Sequence, residues 1–146
     1  MATLTNEQLS AMQFGYLTGN DLIQWASPQL LIKQYEVNPT SLQNGVNLAY
    51  GEVISNLNNR YAIQQEFNSV SSPRSDFLVY ITSILAVRNI LGNMAGISEL
   101  LINNIADAKK ALLEIREGQQ NLPIDDANIV TRAGSFLVPS DFSTIG

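Results

Sequence analysis

The stretch from Phe77 to Leu91, FLVYITSILAVRNIL, is the most apolar in the chain and constrains everything around it. Phe77, Tyr80, Ile81, Ile84, Leu85, Arg88 and Leu91 recur at steps of three and four, the spacing of one helix face. Leu78, Val79, Val87 and Ile90 make the other sides apolar as well. A helix that is apolar nearly all round has to be buried, in its own core or against neighbouring subunits. The rival, a membrane span, needs about 20 apolar residues. This run is shorter and carries Thr82, Ser83, Arg88 and Asn89. The sequence therefore predicts a buried central helix, and Ser72-Pro73 just upstream reads as its start. Serine caps free N–H groups, and proline at the first helical position gives up an N–H that had no partner.

A chain of 146 residues is the size of one domain and can enclose a real core. With 45% hydrophobic and only 14% charged residues, its surface polarity must come largely from Asn, Gln, Ser and Thr. Such a surface suits large, permanent contacts with other subunits, or it reflects genome composition alone. The net charge of −5 offers no basic footprint for binding nucleic-acid phosphates, and Lys109-Lys110 is the only adjacent basic pair. The start, MATLTNEQLS, has neither a basic nor an apolar signal-peptide region. The expectation is a protein made in the cytoplasm and used there, or built there into something larger.

Residues 1–36 read as short helical pieces punctuated by Gly15 and Gly19, with Thr18 or Asn20 as a cap and Ser27-Pro28 as a restart. The lone Trp25 reads as a core or lid residue. A first long helix is expected over Pro39 to Tyr61, with Leu42, Val46, Ala49, Tyr50, Val53, Ile54, Leu57 and Tyr61 as its apolar stripe. Gly45 and Gly51 within it allow close packing or mark loose packing. Residues 62–72 read as a polar loop, and Gly92 to Gly96 as a turn. Ser98 would cap a third helix over Glu99 to Glu117, with Leu101, Ile105, Ala108, Leu112 and Ile115 inward and Gly118 as its C-cap. Asp107 with Lys110, and Lys110 with Glu114, are helix-spaced opposite charges on its outer face. The prediction is an all-α domain over residues 1–118: a small bundle of three long helices preceded by short ones. Residues 119–146 form an extended C-terminal arm that lacks helical period yet keeps many buriable side chains. It docks on a partner or folds back on its own domain. The candidate partner-binding residues are Ile129, Val130, Arg132, Phe136, Leu137, Val138, Phe142 and Ile145.

Conventional catalytic parts are missing. The absence of His and Cys removes Ser-His-Asp and Cys-His machinery, thiolate or imidazole metal sites, and disulfides. Neither nucleotide-binding glycine motif is present. Acidic pairs remain, Asp125-Asp126 after a proline and Glu114 with Glu117 on an outward helix face, and both read as solvated charges rather than as acid–base or metal sites. The expectation is a non-enzymatic protein with no cofactor and no metal. Arg88 in the central helix needs a partner if buried: Asp76, Glu52 or a group on another subunit, unless it snorkels to the surface.

The order of segments then resembles a known family. An early NDLIQWAS leads to a helix ending NLNNRYAI, then to SPRSDFLVYITSILAVRNIL, then to a helix ending ALLEIREGQQNLPI. This is similar to the Mu-like branch of the phage head–tail adaptor, or connector, proteins. There a pattern close to EIDSYLxxRY is matched by Glu52, Leu57, Arg60 and Tyr61. A second pattern, ALxxLxxIxxGxxxLP, is matched by Leu112, Ile115, Gly118, Leu122 and Pro123. The resemblance covers roughly residues 16–124.

The resemblance implies a small helical virion protein forming a homo-oligomeric ring, commonly of twelve copies, beneath the portal protein. The ring joins the DNA-filled head to the tail or the next neck protein and continues the DNA channel without specific nucleic-acid binding or membrane contact. The acidic, low-charge body fits a channel that must not grip passing DNA. Two alternatives stand beside it: another neck or tail-completion protein, and a helical partner-binding module unrelated to virions.

Overall fold

The computed structural model describes residues 4–68, 74–92 and 99–121. These form an all-α fold. Its elements are α1 (Asn6–Ala11), α2 (Gly19–Ile23), α3 (Pro28–Val37), α4 (Ser41–Leu57), α5 (Ile63–Asn68), α6 (Asp76–Leu91) and α7 (Glu99–Arg116). One isolated antiparallel bridge pairs Gln13 with Thr18.

Helix α6 is the centre. Every residue from Ile81 to Val87 is buried, and the helix packs against α2, α3, α4 and α7, most extensively against α4. An all-round apolar surface is satisfied this way inside one chain. No helix among the described residues is long and apolar enough to cross a membrane. The helix starts later than the sequence suggested. Ser75 is its N-cap, accepting from the Leu78 N–H at 3.1 Å. Ser72 and Pro73 lie outside the described residues. The Ser75 N–H is itself held by the Tyr16 hydroxyl at 2.7 Å.

The expected stripe of α4 is the observed one, with Leu42, Val46, Ala49, Val53 and Leu57 buried. The helix itself is shorter than the expected span. At its start the Asn38 side chain accepts from both the backbone N–H and the hydroxyl of Thr40. This local turn competes with helix and delays it to Ser41. Helix α7 buries Leu101, Ala108, Leu112 and Ile115 and touches both α4 and α6, closing a three-helix bundle. Gly118, at φ 82°, terminates it in the left-handed region that glycine favours.

The short helices pack around this bundle. Thr5 and Thr18 each make a capping box, with Gln8 and Asp21 respectively, and Ser27-Pro28 starts α3 as expected. Residues 62–72, read as loop, contain α5. Its Ile63 and Phe67 are one helical turn apart and both buried; in so short a segment that single apolar pair was the whole periodic signal. Trp25 lies half-buried against α6, edge-on to Tyr80, with its indole N–H donating to Ser83 Oγ at 2.9 Å.

Candidate functional site

The proposed partner-binding residues, Ile129, Val130, Arg132, Phe136, Leu137, Val138, Phe142 and Ile145, lie outside the described residues, as do Asp125, Asp126, Ser98 and most of the Gly92–Gly96 turn. What the structure describes is the place where the C-terminal segment leaves the bundle.

That place is built on Arg60, just past the end of α4. The end of any helix leaves carbonyls without intrahelical donors. Here Arg60 supplies donors from another part of the chain. One guanidinium nitrogen donates to the carbonyl of Ile115 in the last turn of α7 and to that of Gln120 at 3.0 Å. The other donates to Asn121 Oδ1 at 2.6 Å. The guanidinium also stands 5.2 Å from the ring centroid of Tyr61, a cation–π distance. A positive charge at a helix C-terminus is favoured by the helix dipole. A second contact closes the joint from the opposite side, Arg116 Nη1 to Asn56 Oδ1 at 3.2 Å. Thus the RY end of α4 and the IxxG end of α7 meet in space.

The acidic pair on α7 makes local contacts. Glu114 accepts from Gln120 Nε2 at 2.8 Å, and Glu117 lies 3.7 Å from Arg116 in a half-exposed ion pair. Among the described residues, neither expected Lys110 ion pair forms, and no group of acidic side chains could hold a metal ion. Arg88 finds Glu52 at 2.8 Å, with both side chains about one-quarter exposed, so of the partners considered it takes the one on α4.

A second polar cluster went unread in the sequence. Asp21, nearly buried, receives both guanidinium nitrogens of Arg74, which also donates to the Tyr16 carbonyl at 3.0 Å. That bond to Asp21 holds the Arg74 proton more firmly than usual. Tyr16 donates its hydroxyl proton to buried Glu66 at 2.8 Å. Tyr50 donates to the Phe14 carbonyl at 2.7 Å and accepts from the Leu17 N–H at 2.8 Å. Burial raises the hydroxyl pKa of both tyrosines, and the bond to Glu66 raises that of Tyr16 further. The cluster fastens the turn at 14–18 to α4, α5 and the start of α6. Its groups are bonded to one another. A cap at Thr18 or Asn20 was readable in the sequence, but the role of Asp21 and partners some 50 residues away were not.

No protein-family model matches the chain, and neither the curated proteins nor the solved structures compared with it give a match.

The described surface also carries large apolar side chains in the open: Leu48 on α4, and Leu100, Ile102 and Leu113 on α7. At 66% and 69% exposed, Leu48 and Leu100 contribute little to this chain's own core.

Proposed function

We propose that this protein is a structural virion component, a head–tail adaptor that forms a ring under the portal, joins the DNA-filled capsid to the tail side and continues the DNA channel. The observation that carries the reading is the joint at the end of the bundle. The two segments in which the sequence resembles the adaptor family, around Arg60-Tyr61 and around Ile115-Gly118, are far apart in the chain and bonded to each other in the fold. Motif residues that meet this way have a shared structural reason for their pattern. The all-α bundle and the absence of histidine and cysteine fit a scaffold role. The exposed leucines of α4 and α7 offer apolar contact to neighbouring copies. In a ring, modest contacts repeated between copies give a stable joint through effective concentration. The apolar residues between Ile124 and Ile145 provide the latch to the portal or to the next subunit.

The test is negative-stain microscopy of the purified protein mixed with portal-bearing heads, alongside its mass in solution. The expected result is a ring of added density at the portal vertex. Heads that gain no density there would move the assignment to a later neck or tail-completion component. Absence of the protein from purified particles would move it to a helical module outside the virion.

A further inference from the structure

We infer that Arg60 is the positioning residue for the C-terminal segment: it fixes where, and in which direction, the chain beyond Asn121 leaves the bundle. The inference deepens the adaptor reading and rests on it only for the segment's role in portal attachment.

Gly118 ends α7, so the residues that follow are no longer part of the helix. Those residues nevertheless stay on the bundle. The Gln119 N–H donates to the Glu114 carbonyl at 2.8 Å. Arg60 then takes hold of Gln120 through its backbone carbonyl and of Asn121 through its side-chain oxygen, while Glu114 also accepts from Gln120. A guanidinium is suited to this task. Its donors point in fixed, divergent directions from a rigid plane, so one side chain can grip the helix end and residues 120–121 together. The Tyr61 ring holds one side of that plane. An ammonium could satisfy one of these acceptors but could not impose an angle between them. Arg60 is separated from its acceptors by at least 55 positions in the chain, so this is a tertiary clamp and not a local turn. For a docking segment the consequence is pre-organisation: a chain launched in one direction gives up less freedom on binding than one that sweeps all directions.

The chain has no cysteine, so a labelled pair can be introduced cleanly. Spin labels on Ser55→Cys, exposed on α4, and Asp125→Cys, four residues beyond the clamp, would report the launch direction in the full-length protein by pulsed electron spin resonance. The expected outcome is a narrow distance distribution with Arg60 present and its loss in Arg60→Ala, with the helical circular dichroism retained. A distribution unchanged by Arg60→Ala would overturn the clamp. If Arg60→Ala lost its helical signal, Arg60→Gln would carry the same comparison with the same two outcomes. Head binding by full-length Arg60→Ala is then measured separately. A lost distribution with weakened vertex binding supports both clamp and docking role. A lost distribution with unchanged vertex binding keeps the clamp and removes the docking role.

Discussion

Gly45 on α4 lies directly against Ile90 on α6: a methyl group at Gly45 would stand 2.4 Å from Ile90 Cγ1, and also close to the Ile90 N and the Ala86 carbonyl. Backbone atoms among these neighbours cannot swing aside. The two central helices are therefore held at a separation that only glycine permits here. Gly51, two turns along the same helix, meets nothing within 4 Å. The two glycines should respond oppositely to the same substitution. Gly45→Ala should destabilise by about 1–3 kcal/mol through overpacking, whereas Gly51→Ala should stabilise by about 0.5–1 kcal/mol through helix propensity and a less free unfolded chain. Urea titrations of both variants check this, and a Gly45→Ala as stable as its parent would refute the close-packing account.

Much of the bundle was legible because it rests on periodicity over long windows. The α4 stripe through Leu42, Val46, Ala49, Val53 and Leu57, the α7 stripe, and the all-round apolar α6 each repeat for several turns. What failed was short or non-local. Helix α5 spans too few residues for its Ile63–Phe67 pair to stand out. The start of α6 lies at Ser75, downstream of Ser72-Pro73, and Ser75 is tied there to the distant Tyr16, a contact that no local pattern carries. The meaning of Gly45 as against Gly51 depends on what lies across the interface, and no local pattern carries that. The Arg60 clamp was half visible: Arg60 and Ile115 stood out as motif residues, but nothing in the sequence says that one donates to the other.

The Asp21–Arg74 pair makes a second test. Asp21 has two duties, capping α2 through Thr18 and receiving Arg74 from the approach to α6. Asp21→Ala should lose both, at about 1 kcal/mol for the cap and about 1.5–3 kcal/mol for the charge-assisted bonds. Arg74→Ala keeps the cap but leaves a nearly buried carboxylate without its cation. A double-mutant cycle on denaturation midpoints should therefore show that the two losses are not additive. Additive losses would mean that the pair is not coupled.

Thr82 offers a stabilising change. It lies fully buried in α6, and its Oγ1 has no hydrogen-bond partner. A buried hydroxyl in that state costs free energy that a methyl group of similar shape does not. Thr82→Val should raise stability by about 1 kcal/mol, read as a higher melting temperature with unchanged helical signal. A fall in melting temperature would show that the hydroxyl is satisfied in solution.

Tyr16 and Tyr50 set the alkaline limit of the fold. Both hydroxyls have pKa values raised above the ordinary 10.0 in the folded chain, chiefly by burial and, for Tyr16, also by its bond to Glu66. The folded state therefore holds these protons at pH values where the unfolded chain has released them. The resulting stability is fully present below the unfolded value and is lost as pH rises from there through the folded values. Each tyrosine can contribute a slope of at most about 1.4 kcal/mol per pH unit in that window. Urea midpoints should stay level approaching pH 10 and fall beyond it. Tyr16→Phe should start lower, because the Ser75 N–H and the Glu66 carboxylate lose their shared partner. It should also fall less steeply above pH 10, since one of the two retained protons is gone. If Tyr16→Phe kept the parental alkaline slope, Tyr16 would not be one of the groups whose ionisation unfolds the protein.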